Sequence, residues 1–248
     1  MIDTHAHIVK EYFYDIDTLI KELKEKNVLY VINCSTSIED AKEIIELFNK
    51  TNGFLLPALG IHPEIVNDFN RIQELEELIR NNKVVAIGEI GLDYYWNKEN
   101  KELQKECLNK QLDLAEKYNL PILVHTRESI QDTLDILKSR KLKGIIHCYS
   151  GSYEMAKEFI KLGYKLGIGG VLTFKNSKLY EIIEKINLED IVLETDSPYL
   201  TPEPNRGKQN NPYNIYYVAK RIAEIKNMEI DEVINQTTNN ARAIFDIC

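Results

Sequence analysis

Across 248 residues there is no run of about 18 consecutive apolar side chains, so no segment reads as a membrane-spanning helix. Nor is there an excess of basic residues: 31 Lys and Arg stand against 39 Asp and Glu, a formal net charge of −8. That excludes a protein gripping nucleic acid with a broad basic face. It leaves open a nucleic-acid enzyme whose positive charge is concentrated in metal ions. Cysteine is sparse. Cys34, Cys107, Cys148 and Cys248 are scattered, form no CxxC and read as free thiols that mainly pack. No Ser/Gly-rich linker, low-complexity tract or composition break divides the chain, so residues 1–248 read as one domain. The 44% of hydrophobic residues supplies a large core and excludes disorder. The N-terminus lacks the basic and apolar stretches of a secretory leader and opens Met1-Ile2-Asp3-Thr4-His5-Ala6-His7. A mature chain that starts at Met1 and stays in the cytosol is therefore expected.

What is present is a rhythm. Short, β-branched apolar runs cover Ile2–His5, Val28–Cys34, Phe54–Leu59, Val84–Glu89, Pro121–His125, Gly144–Cys148, Tyr164–Gly170 and Asp190–Thr195. Charged segments of helical period lie between them: Asp15–Lys26, Ser37–Lys50, Phe69–Asn82, Lys98–Tyr118, Ser129–Lys138, Ser152–Leu162 and Ser177–Ile186. Asn214–Lys226 and two short helices, near Ile230–Asn235 and Asn239–Phe245, finish the chain. Eight strands alternating with helices over this length predict an α/β fold, a (β/α)8 TIM barrel. An open doubly wound sheet fits less well, because no glycine-rich nucleotide loop follows the first strand.

Histidine is scarce, which makes its placement informative. The five are His5, His7, His62, His125 and His147. His5 and His7 stand at i and i+2 on an extended run and point to one face. His125 ends one predicted strand, and His147 stands near the end of the next. Glu89 ends the fourth run and Asp196 follows the last. A lone strand-end histidine is more often a packing or surface residue than a ligand, and a lone acid after a strand is usually a cap or turn former. The joint pattern decides. Six ligand-type side chains lie at C-terminal strand ends, which converge on one mouth in a barrel. Four imidazoles and two carboxylates exceed what one tetrahedral zinc needs and suit two divalent cations sharing a bridging carboxylate.

The segments Met1–His7, Gly60-Ile61-His62-Pro63, Gly88-Glu89-Ile90-Gly91-Leu92-Asp93-Tyr94, His125-Thr126-Arg127, His147-Cys148-Tyr149-Ser150-Gly151, Glu194-Thr195-Asp196-Ser197-Pro198 and Arg206-Gly207-Lys208 follow one another in order. With them the sequence resembles the TatD family of metal-dependent hydrolases, part of the amidohydrolase superfamily, from residue 1 to past residue 211. The resemblance implies a TIM barrel with a dinuclear metal centre and DNase-type phosphodiesterase activity. Carried over by position, His5, His7, Glu89 and Asp196 would bind one cation. Glu89, His125 and His147 would bind a second, more weakly held, with Glu89 bridging. The cations, Zn²⁺, Mn²⁺ or Mg²⁺, would activate water near neutral pH, with Asp196 and Glu89 as catalytic carboxylates and Asp196 orienting the water.

Glu194, two residues before Asp196, is a candidate for tuning the site or moving a proton, unless it is a buried acid paired with a cation. His62 would line the mouth and touch substrate without binding metal. Arg127, Arg206 and Lys208 are candidates for phosphate contacts, or else solvated loop charges. Tyr94, Tyr95 and Trp96 form the densest aromatic cluster, where a nucleobase would stack or a hydrophobic plug would close the mouth. Asp93 reads as a loop-fixing acid and not a ligand. Gln209 and Asn211 depart from the family pattern, where a basic residue and Glu are more usual; this touches substrate preference, not the metal site. The expected substrate is single-stranded DNA ends, cut 3′ to 5′ in the cytosol, with no membrane and no obligate protein partner, by a monomer or weak oligomer. Ester or amide bonds, D-aminoacyl-tRNA among them, are the alternatives for the same site. A non-catalytic scaffold fits less well, since all six ligand-type residues are present.

Overall fold

The helices form where the apolar period and the caps agree. In a computed structural model, which describes residues 1–96 and 98–247, Ile16, Leu19, Ile20 and Leu23 form the buried face of helix α1 (Ile16–Glu25). The Asp15 carboxylate accepts the Thr18 N–H at its start. Ser37 and Ser152 cap α2 (Ile38–Lys50) and α6 (Tyr153–Lys161) in the same way. The remaining helices are α3 (Ile72–Asn81), α4 (Lys101–Tyr118), α5 (Ile130–Leu137), α7 (Leu179–Lys185), α8 (Ile215–Lys226) and α9 (Ile230–Phe245).

Among the described residues, eight parallel strands pair in chain order: β1 (Ile2–Ala6), β2 (Tyr30–Cys34), β3 (Leu55–Leu59), β4 (Ala86–Asp93), β5 (Ile122–Arg127), β6 (Gly144–Ile146), β7 (Lys165–Ile168) and β8 (Ile191–Leu193). The sheet curls into a TIM barrel. Its seam is closed by an Ala6–Ser197 bridge and by the Asp196 N–H donating to the His5 carbonyl at 2.9 Å. Buried Asp3 adds to the closure, accepting the Thr195 N–H at 3.0 Å and hydroxyl at 2.6 Å.

One buried cluster takes Ile2, Ile32, Leu56, Leu123, Ile145 and Val192 from six strands and is joined by Phe245 of α9. Strand alternation carries the consequence upward. The faces that hold Leu123, Ile145 and Val192 present His125, His147 and Glu194 one step further along.

Four expectations change. The C-terminal helix is one element, not two. Thr237 bonds back to the Val233 carbonyl at 2.7 Å, and Asn240 donates to the carbonyls of Leu188 and Ile191 at 2.9 and 2.7 Å. A polar stretch that reads as a break is thus a buried helix face against the base of β8. Strand β4 runs four residues past Glu89, to Asp93. Strand β8 stops at Leu193, and Asp196 adopts a left-handed turn conformation at φ 57° rather than lying on the strand. The long helices at Phe69 and Lys98 begin as 3₁₀ turns, so α3 and α4 start later than the apolar period indicates. Of the cysteines, Cys34, Cys107 and Cys148 are free thiols; Cys248 lies outside the described residues.

Two strands carry an extra residue against their partners. In β1 the register slips between Asp3 and Ala6, and in β4 between Ile87 and Ile90. His5 lies in the first irregularity and Glu89 in the second. Bulges re-aim side chains beside active sites. Just beyond the second, Gly91 has φ +152°, and a Cβ there would stand 1.9 Å from the His125 carbonyl oxygen. Gly91→Ala is therefore expected to destabilise the fold by about 2–4 kcal/mol. A denaturant midpoint equal to that of the unaltered protein would contradict this account of the β4–β5 contact.

Candidate metal centre

The six predicted ligand residues meet at the C-terminal mouth of the barrel. His5 Nε2 and His7 Nε2 are 3.2 Å apart. They stand 3.3 and 3.4 Å from Glu89 Oε2, and His7 Nε2 is 3.5 Å from Asp196 Oδ1. The other carboxylate oxygen faces a different set: Glu89 Oε1 is 2.9 Å from His125 Nδ1 and 3.6 Å from His147 Nε2. His5 and His147 stack with ring centroids 3.5 Å apart, which sets the two groups side by side.

These separations fit metal coordination. Two donors each about 2.0–2.1 Å from one tetrahedral zinc stand about 3.4 Å apart. Each of the four imidazoles directs one nitrogen at the centre, and three have the other nitrogen held by an oxygen. His7 Nδ1 donates to the Cys34 carbonyl at 2.9 Å, and His125 Nε2 donates to Asp93 Oδ2 at 3.0 Å. His147 Nδ1 lies 3.0 Å from Glu194 Oε1, an ion-pair contact not aligned as a hydrogen bond. Such outer oxygens orient metal-ligating imidazoles and raise their basicity. The remaining one, His5 Nδ1, is buried without a hydrogen-bond partner.

Electrostatics favour a cation as well. Burial would push the Glu89 carboxyl up, but the imidazoles of His62, His5 and His147 beside it and the hydrogen bond from His125 hold it well below the carboxylate range. Burial likewise disfavours a charged His7, yet hydrogen bonds to Asp196 and Glu89 prevail and raise its pKa well above the ordinary value. Burial lowers and the neighbouring carboxylates raise His125 and His147, with the net result about 9 for each. Without metal, protons balance this negative pocket.

His62 lies next to the centre, its Nε2 3.6 Å from Glu89 Oε1. Its Nδ1 accepts the Glu64 N–H at 3.2 Å, so Nε2 carries the hydrogen. Burial holds the ring neutral, with a pKa of about 3. It presents an N–H, not a lone pair, to the site. Glu194 is fully buried, accepts the Cys148 N–H at 2.7 Å and sits behind His147. Arg206 is tied to the rim, donating to the Thr201 carbonyl at 3.0 Å and lying 3.9 Å over the Phe174 ring. Lys208 is an exposed residue of the same loop. Gln209 bonds to the Tyr12 carbonyl at 2.6 Å, and the Asn211 side chain caps the following turn.

Tyr94 is a correction. It is only 5% exposed, its hydroxyl donates to Asp132 at 2.8 Å, and the Lys101 ammonium lies 4.3 Å from its ring centre. It has no face for a substrate. Asp93 does more than fix a loop, since it also holds His125. That was readable once β4 is extended, because Glu89, Gly91 and Asp93 alternate with Ile90 and Leu92. The long-range supports had no such signal. Gln104 pairs with the backbone of Asp93 at 2.8 and 2.9 Å, and Gln111 with that of Ile61 at 2.7 and 3.1 Å.

The model of the TatD-related DNase family matches residues 2–246. The chain is similar to an uncharacterized metal-dependent hydrolase of Bacillus subtilis (strain 168), YabD, at 39% identity over 100% of this chain and 99% of that one. It is 37% identical to another uncharacterized metal-dependent hydrolase from Methanocaldococcus jannaschii, covering 98% of this chain and 96% of that one. Among solved structures, the TatD homolog YjjV of Escherichia coli K12 superposes with a TM-score of 0.91 at 30% identity, over 100% of this chain and 98% of that one.

The protons on the imidazoles generate a prediction. Raised values of about 9 for His125 and His147 mean that both are charged below that pH in the metal-free protein. Their protons stabilise the metal-free fold fully below the ordinary histidine value of about 6.5, and this contribution is lost as pH rises through about 9. Ligating imidazoles must be neutral, so metal binding near neutral pH should release protons and tighten as pH rises. Calorimetry in buffers of different ionisation enthalpy reads this directly. A binding enthalpy independent of buffer would contradict it.

Proposed function

The chain belongs to the TatD-related DNase family of metal-dependent hydrolases, and within it we propose that this protein removes nucleotides from unpaired 3′ ends of DNA using two divalent cations. The observation that carries the reading is the division of Glu89, whose Oε2 faces His5 and His7 while Oε1 faces His125 and His147. His5, His7, Asp196 and Glu89 would hold one cation; His125, His147 and Glu89 the other. Zinc, manganese and magnesium are the candidates, and the imidazoles favour the first two in affinity. When bound, two such cations activate water at neutral pH and neutralise phosphate charge.

The chain's own residues supply the rest. Asp196 is the more accessible acid, its side chain 16% exposed against 4% for Glu89. Burial would raise its pKa, but His7 and His147 hold it ionised, so its carboxylate is fit to orient the attacking water and accept its proton. His62 offers its Nε2–H to an oxygen of the substrate. Glu194 acts through His147 as a positioning residue. The acidic surface, with net charge −8, fits a small mouth that takes one strand end better than a clamp around duplex. The barrel is the catalytic unit, and we place it in the cytosol without an obligate partner.

The test is stepwise release from end-labelled single-stranded DNA by metal-loaded protein. Chelation should abolish it, and Glu89→Ala should lower the rate at least about 100-fold. Glu194→Gln should cost roughly 10–100-fold in metal affinity or activity, as loss of an outer-shell partner does. No cleavage with any divalent ion, despite bound metal, would overturn the nuclease reading and direct attention to ester and amide substrates.

A further inference from the structure

Large aromatic side chains exposed beside a polar site offer flat faces on which another ring can stack. Trp96 is 64% exposed and Tyr95 44%, whereas Tyr94 beside them is packed away. Their rings meet edge to face at 4.8 Å. The guanidinium of Arg127, the last residue of β5, lies 4.0 Å from the Tyr95 ring centre and 5.6 Å from that of Trp96. An arginine plane on an aromatic face, with a second aromatic alongside, provides flat polarisable surfaces and a positive charge at one place.

We propose that Tyr95, Trp96 and Arg127 form a platform for the terminal unpaired nucleobase of the substrate, held in register with the metal centre by Asp93. The inference rests on the nuclease reading and adds the subsite that selects an unpaired end. Asp93 Oδ1 accepts the N–H groups of both Tyr95 and Trp96 at 2.9 Å, while Oδ2 receives His125 Nε2 at 3.0 Å. One fully buried carboxylate therefore grips the loop bearing the aromatics and an imidazole of the centre. Gln104 fixes the Asp93 backbone from α4. The platform cannot drift relative to the reacting phosphate without breaking these bonds. A base stacked there is recognised by its π-face and not by its edge, so the subsite tolerates any sequence but rejects a base still paired and stacked in duplex. Arg127 adds attraction for the adjoining phosphate.

Trp96 is the only tryptophan in the sequence, so its fluorescence reports on this site alone. The experiment titrates the full chain with a short single-stranded oligonucleotide and with the same oligonucleotide lacking its 3′-terminal base. It is run on chelator-treated protein and, with metal, within the mixing time of a stopped-flow instrument before cleavage. The intact end should quench Trp96, and the abasic end should bind with little quenching. Trp96→Ala should weaken binding of the intact oligonucleotide, read by anisotropy of a 5′ label, by roughly 5- to 150-fold, the range of one base–aromatic stack. Trp96→Phe should restore most of that loss, and Trp96→Ala, unlike Trp96→Phe, should discriminate less strongly against duplex ends. Equal quenching by intact and abasic ends, or unaltered binding by Trp96→Ala, would overturn the platform while leaving DNA cleavage intact. Selective quenching without cleavage would keep the platform and reject the nuclease.

Discussion

Everything at the barrel mouth depends on one buried carboxylate with two different sides. Glu89 is 3% exposed and ionised, a state that low-dielectric surroundings oppose unless charge is supplied at close range. Imidazoles flank it on both sides, His5 and His7 at one oxygen and His125 and His147 at the other. In the absence of metal, protons on His7, His125 and His147 balance the charge, whereas burial and the neighbouring His147 lower the pKa of His5. Divalent cations would provide the same charge with a stronger hold, and the donor separations are already those of shared coordination.

A second layer makes that geometry durable. Asp93 and Glu194 hold His125 and His147 from behind, and the Cys34 carbonyl holds His7. Helix α4 stabilises the layer through two amides seven residues apart. Gln104 takes both backbone hydrogen bonds of Asp93, and Gln111 both of Ile61, the neighbour of His62. Each is a buried polar group satisfied at donor and acceptor, so it costs little in burial and confers a defined position. One buried face of the helix does both, packing Leu108, Leu112 and Ala115 inward and carrying the two amides to the site.

The barrel and the six ligand-type residues were legible from the sequence, and for the barrel, His125 and His147 the reason is alternation. A strand that buries Leu123 or Ile145 within the barrel must present His125 or His147 to the mouth. What escaped the sequence depends on departures from regular geometry or on distant partners. The bulges that re-aim His5 and Glu89 leave no local signature, and Asp196 reaches the site from a left-handed turn beyond β8. The continuous α9 was hidden by a polar segment whose Asn240 is satisfied by carbonyls about fifty residues away in sequence. Tyr94 and Trp96 could not be told apart, because which aromatic faces solvent is set by Asp132 and Lys101 on other elements.

The central claim is that Glu89 joins two cations. Electron paramagnetic resonance of the protein titrated with Mn²⁺ tests it most directly, because two manganese ions bridged by one carboxylate are exchange-coupled. The account predicts a coupled spectrum at full loading that collapses to an isolated-ion signal in Glu89→Gln. An isolated-ion signal from the fully loaded, unaltered protein would contradict it.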